Sequence, residues 1–170
     1  MEKVLVRNKL FKVSADTIKK HSKHIKVFRI SEPAKVVVLP FLNDNTLLLE
    51  HQYRAAINRY IYEIPAGAIE RGEKPVKAAA RELEEETGYT ANSLKFLFWM
   101  YSSPGLSTEI LYAYSAHNLI KSSRNLDEDE IIDVKKIRLD KALQLIKNNT
   151  IRDAKTIACI LYYLRFIKRK

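Results

Sequence analysis

A single cysteine among 170 residues, Cys159, leaves no internal disulfide to form and fits a reducing, cytoplasmic setting. It lies in the apolar run IACILYYL (157–164), where a buried structural thiol is expected rather than a nucleophile. No run of 18 or more apolar residues exists, so no membrane span is expected. The opening MEKVLVRNKLFK lacks the apolar core and cleavage site of a secretion signal. With no internal repeat, low-complexity tract or evident linker, residues 1–170 read as one domain large enough for a real core. Glycine is scarce as well: there are four, and Gly67, Gly72 and Gly88 all fall within 67–89. Acid is in deficit, with 20 acidic against 30 basic residues and a net charge of +10. Yet 67–89 holds six acids and four bases, a local −2 that leaves +12 on the remainder. An acidic patch in a basic body suits a metal site serving a small polyanionic substrate. That distribution argues against nucleic acid as partner, and the clusters Lys19–Lys26 and Lys168–Lys170 read as solvated lysines.

The segment GAIERGEKPVKAAARELEEETGY (67–89) carries the chemistry. A helix from about Pro75 to Thr87 turns about 100° per residue, so Glu82, Glu85 and Glu86 share one side. Glu84 is expected to face solvent, and Val76, Ala79, Ala80 and Leu83 to form the stripe that docks on a sheet. Three carboxylates on one face repel each other until hard cations sit among them, and Mg²⁺ suits such oxygen ligands. Pro75 fits a first helical turn, and Gly88 the left-handed residue that ends the helix. A merely solvated acidic face is the plainer reading of Glu82–Glu86. The clustering of scarce glycines beside it favours a built site, because glycine marks sharp bends and close approaches.

The remaining elements follow from periodicity and turn signals. Leu5–Val13 and His24–Ser31 read as two N-terminal strands joined by a polar turn. Lys35–Leu42 and Thr46–Gln52 flank Asn43-Asp44-Asn45, a hairpin signal. Pro40 weakens the first of them unless it lies at an edge or bulge. Tyr60–Ile64, Leu94–Tyr101, Glu109–Ala116 and Ile131–Arg138 are further strands. Helices over Asp140–Asn148 and Asp153–Lys168 each open with an aspartate suited to N-capping. The fold class is mixed α/β, with helices on either side of a mixed sheet.

Gly67, Glu73, Arg81, Glu82, Leu83, Glu85, Glu86 and Gly88 stand at the spacing G-x5-E-x7-R-E-L-x-E-E-x-G. This resembles the signature box of the Nudix hydrolases, which implies an α/β/α sandwich and metal-dependent cleavage of a nucleoside-linked diphosphate. Tyr89 stands where that box more often has an aliphatic residue. Pro104, sixteen positions beyond Gly88 in SSPGLSTE, resembles the ADP-ribose pyrophosphatase branch. So do EHQYR (50–54), YEIPAG (62–67), LDEDE (126–130) and IRDAKTIA (151–158).

The resemblance implies that ADP-ribose and water give AMP and ribose 5-phosphate. Glu82 and Glu86 would be principal ligands of two or more Mg²⁺ ions, with Mn²⁺ as a possible substitute. The Ala66 carbonyl would complete a site and Glu85 would serve a further ion. Arg81 and Glu73 would orient the helix carboxylates, with Gly67 and Gly88 structural in the motif. Gln52 and Arg54 would contact substrate, Arg54 through a phosphate; Ser103, Gly105, Glu109 and Glu70 would line the diphosphate and ribose pocket. The base that activates water would be Glu128 or Glu130 on the late acidic loop, Glu128 by preference, or else Glu85. Residues 1–32 would supply strands to a homodimer. Phe28 could stack on adenine there, but strand alternation places it in the core. Rival readings are a Nudix hydrolase of another nucleoside diphosphate derivative and a non-catalytic nucleotide- or RNA-binding module.

Overall fold

The computed structural model describes residues 2–126 and 131–168. Among the described residues there are ten strands and three α-helices, one helix after the seventh strand and two after the tenth. The N-terminal part is a three-stranded antiparallel sheet of β1 (Lys3–Arg7), β2 (Lys12–Lys20) and β3 (Lys23–Ser31). The expected single strand over Leu5–Val13 is thus split. The Asn8 side chain accepts from the backbone N–H of Leu10 and Phe11 and turns the chain between β1 and β2. The second strand then occupies the region expected to be a polar turn.

The body is a seven-stranded sheet in the order β10-β5-β4-β9-β8, with β6 against β5 and β7 against β4. Its strands are β4 (Lys35–Asn43), β5 (Thr46–Arg54), β6 (Arg59–Glu63), β7 (Ala66–Ala68), β8 (Tyr89–Tyr101), β9 (Ile110–Lys121) and β10 (Ile132–Arg138). Only β4 and β9 run parallel, so the sheet is mixed. Strand alternation divides β4 between two cores. Val36 and Val38 pack with Ala78, Ala79 and Leu83 of α1 (Pro75–Thr87). Val37, Leu39 and Phe41 pack on the opposite face with Ala142, Ile151, Cys159 and Ile160. That second layer comprises α2 (Leu139–Lys147) and α3 (Ala154–Tyr162), which runs on into a π-helical turn at Tyr163–Ile167. The result is the expected helix–sheet–helix sandwich.

Strands β4 and β5 diverge, and this split shapes the site. Strand β4 pairs with β7 through Lys35–Val37 and with β5 only near Phe41 and Asn43, across a register shift. Between these pairings the Val38 N–H donates to the Pro65 carbonyl. Pro40, two residues on, points its missing N–H to the same side, where no ladder bond is lost. The wedge β6–Pro65–β7 therefore enters the sheet and delivers Ala66 and Gly67 to the carboxylate helix.

Several local expectations need correction. Val76 is 39% exposed, so the docking stripe of α1 is Ala78, Ala79 and Leu83. Glu84 does not simply face water; it accepts a 2.5 Å hydrogen bond from the Ser122 hydroxyl. Helix α2 takes Arg138 as its N-cap residue, with Asp140 inside the first turn. Asp153 does cap α3, accepting from Thr156 N at 2.9 Å and Thr156 Oγ1 at 2.6 Å. Phe28 is 54% exposed rather than core.

Candidate active site

Helix α1 begins at Pro75 and ends where Gly88, at φ 75°, donates to the Glu84 carbonyl. Within it Arg81 organises the acidic face. Its Nη1 donates to Glu82 at 2.7 Å and to Glu85 at 2.9 Å. Its other edge holds Glu73 at 3.2 and 3.1 Å and the Ala68 carbonyl at 2.9 Å. One guanidinium thus links the helix, the preceding turn and β7. Hydrogen bonding from Arg81 holds the Glu73 carboxyl below the usual carboxylate range. The like-charge repulsion expected among these acids is offset by a cation inside the same helix.

Gly67 is glycine for a steric reason. A Cβ built there would lie 2.0–2.2 Å from three atoms of the Glu82 carboxylate group. The Glu82 head therefore lies flat against the β7 backbone, beside Ala66. Glu86, 2% exposed, accepts from the Ala66 N–H at 2.9 Å. The wedge and two turns of helix α1 meet at this point.

Behind Glu86 lies a buried charged cluster that sequence reasoning missed. Glu50 and Glu63 face each other across the β5–β6 ladder, each 1% exposed. Glu63 takes two bonds from Arg54, at 2.7 and 2.9 Å, and a third from Lys155. Lys155 also reaches Asp153, the α3 cap, at 2.9 Å. Burial pushes the Glu63 carboxyl up, but the Arg54 hydrogen bonds and the Lys155 charge outweigh it, leaving a net downward shift. Glu50 has no such cation in contact. Burial first, then the charge of Glu63, pushes it up to about 8, while a hydrogen bond with Glu86 opposes the rise. The available signal was a lone acid inside each of the apolar runs LLLEHQ and YIYEIP.

The other expected residues are distributed around this centre. Gln52 and Arg54 follow Glu50 on one face of β5, Gln52 only 3% exposed. Glu70 is exposed, and its backbone brackets Glu73 through two hydrogen bonds of 3.0 Å. Ser103, Gly105 and Glu109 share the β8–β9 loop, where the Ser103 carbonyl accepts from Leu106 and Ser107. Glu109 pairs with Lys35 at 2.7 Å. Glu128 and Glu130 lie outside the described residues. The chain leading to them is pinned to α1: Ser122 N donates to Gly88 O at 2.7 Å, Arg124 Nε to Glu86 O at 2.6 Å, and Asn125 N to Glu85 O at 3.1 Å.

These donors fit a hard divalent cation. Glu82, Glu85 and Glu86 with the Ala66 carbonyl offer only oxygen, and a further buried oxygen, Glu50 Oε1, has no hydrogen-bond partner. Among the described residues no three acidic, histidine or cysteine side chains already stand at coordinating geometry. Glu82 and Glu85 lean on Arg81, and Glu86 on the Ala66 amide.

The fold and the acidic helix define a Nudix-type protein, and comparison with known families agrees. The family model described as NUDIX domain matches residues 32–158, and the chain belongs to the Nudix hydrolase family. It is 42% identical over 135 residues to the methanol dehydrogenase activator of Bacillus methanolicus, covering 78% of this chain and 73% of that one. It is 41% identical over 135 residues to the ADP-ribose pyrophosphatase of Bacillus subtilis strain 168, with the same coverage. A GDP-mannose pyrophosphatase of Yersinia enterocolitica is 32% identical over 128 residues, 70% of this chain and 66% of that one. The crystal structure of an ADP compounds hydrolase superposes with a TM-score of 0.88, covering 98% of this chain and 91% of that one at 23% identity, which establishes the fold.

Proposed function

We propose that this chain hydrolyses the diphosphate of ADP-ribose to AMP and ribose 5-phosphate, using Mg²⁺ or, in its place, Mn²⁺. The observation that carries the chemistry is the approach of Glu82 and Glu86 to the Ala66–Gly67 backbone, with Glu85 drawn to the same Arg81 guanidinium as Glu82 and oxygen as the only donor type. The substrate rests on likeness to the Bacillus subtilis ADP-ribose pyrophosphatase. Bound among these carboxylates, divalent ions would offset the charge of the diphosphate and supply an activated water. Arg81 and Glu73 set the direction of the helix carboxylates. Arg54 gives its Nε and Nη2 to Glu63, which presents the Nη1 edge for a substrate phosphate. Ser103, Gly105, Glu109 and Glu70 would flank the diphosphate and terminal ribose.

Glu128 is the proposed acceptor of the water proton. Support comes from residues 122–125, which are tied to the carboxylate end of α1. Glu128→Gln is expected to lower kcat by about 10²–10⁴-fold with little change in substrate affinity. An unchanged rate would move the role to Glu130 or Glu85. The defining assay incubates the protein with Mg²⁺ and a panel containing ADP-ribose, GDP-mannose and dinucleoside polyphosphates, and identifies products by chromatography. Preference for GDP-mannose, the substrate named for the 32% identical relative, would replace the ADP-ribose assignment.

The N-terminal sheet supports a homodimer. It exposes Val4, Leu5, Val6, Ile18, Ile25 and Phe28. It meets the body where Ile30 N donates to the Leu106 carbonyl and the Ile30 carbonyl accepts from Thr108 N, both in the β8–β9 loop. A sheet with exposed apolar side chains on its strands and an outer β1 edge suits a second copy of itself. Light scattering should give twice the 19.7 kDa chain mass, and removal of residues 1–32 should give monomer; a monomeric full chain refutes the dimer.

A further inference from the structure

The buried carboxyl of Glu50 on β5 remains without a task in this scheme. Glu50 is 1% exposed, and its Oε1 makes no hydrogen bond. Its carboxyl group is hydrogen-bonded with that of Glu86, an expected metal ligand. Two residues on and on the same face, Gln52 is 3% exposed, and its Oε1 also lacks a partner. Unmet oxygens at two successive inward positions of one strand are unusual, because buried acceptors are nearly always satisfied.

Local charge sharpens the point. Glu50, Glu63 and Glu86 are each at most 2% exposed. The cations beside them, Arg54 and Lys155, both bond directly to Glu63, and Lys155 is further shared with Asp153. Glu50 therefore lies beside Glu86 in a low-dielectric space, and among the described residues no cation bonds directly to the Glu50 carboxyl. A buried polar group of this kind is costly unless something cationic completes it.

We propose that Glu50 is an additional oxygen ligand of the divalent-metal centre, supplied by β5 from behind Glu86 and outside the helix motif. The inference rests on the metal-dependent reading above and extends its ligand set to a residue of the sheet.

Mn²⁺ binding to the metal-stripped full chain, followed by electron paramagnetic resonance and calorimetry, tests this apart from turnover. Glu50→Gln keeps the volume and the hydrogen bond to Glu86 but weakens ligation. It is expected to reduce Mn²⁺ affinity about tenfold or more. Its metal-free melting temperature should stay close to the parent's, since the substitution is nearly isosteric, while the Mn²⁺-induced rise shrinks. Glu50→Asp, which keeps the charge on a shorter arm, should also bind less tightly and guards against a folding defect in the first variant. An anomalous peak within coordination distance of a Glu50 oxygen in Mn²⁺-soaked crystals is the direct expected result. If Glu50→Gln binds Mn²⁺ like the parent while Glu82→Gln does not, Glu50 is structural and the inference fails, though the helix site stands. If the parent itself binds no Mn²⁺, the metal-dependent reading fails with it.

Discussion

Glu86→Gln is expected to lower kcat with Mg²⁺ by about 10²–10³-fold or more, the scale seen when one preorganised electrostatic contact to a transition state is removed. The substitution is nearly isosteric, and Glu86 sits 2% exposed with its carboxylate on the Ala66 N–H. The amide oxygen of glutamine can still accept that bond, so the fold should persist. What would be lost is the negative charge that, on the proposed reading, holds a divalent ion beside the wedge. Glu82→Gln should behave alike, since the flat approach of its head to Gly67 fixes it at the same place. Steady-state kinetics with circular dichroism on each variant checks both halves of the expectation. Turnover close to the parent's in either would sink the ligand assignment.

The largest stability effect is expected at Lys155. Its ammonium, on a side chain 15% exposed, joins Glu63, 2% exposed, to the cap of α3. Lys155→Met removes one of the two cations on a buried carboxylate. Breaking a buried pair this way costs about 3–5 kcal/mol, and the surviving Arg54 contact argues for the lower end. For a chain of this size about 3 kcal/mol lowers the melting temperature by about 6–12 °C. Glu63 would then hold Arg54 less firmly, so the Michaelis constant should rise as well. Combining Lys155→Met with Glu63→Gln should cost less than the two changes summed, because the residues act as one network. Additive losses in thermal melts would show that Lys155 acts by packing alone.

Which parts of this molecule were legible follows from the range of the forces involved. Helix α1 was readable because its spacing, its Pro75 start and its Gly88 end are local, and the structure reproduces all three. Asp153 was readable for the same reason: a cap reaches only three residues along the chain. Val76 misled because helical periodicity gives an apolar side but not how far the sheet beneath it extends, and the first turn overhangs it. The N-terminal strands blurred because β1 is exposed on both faces and has no inside–outside alternation to read. The Glu50–Glu63–Lys155 cluster was hidden for a deeper reason. Lys155 and Glu63 lie 92 residues apart, and their meeting depends on how β6 wedges between β4 and β5. Segments around all three were noticed; the partnership among them was not.

Arg81 gives this arrangement a property of its own. Because a guanidinium already lies across Glu73, Glu82 and Glu85, the acidic side of the helix does not need an ion to become tolerable. On the proposed metal-dependent reading, the protein can then fold before it meets a divalent ion and load afterwards by exchanging one set of positive contacts for another.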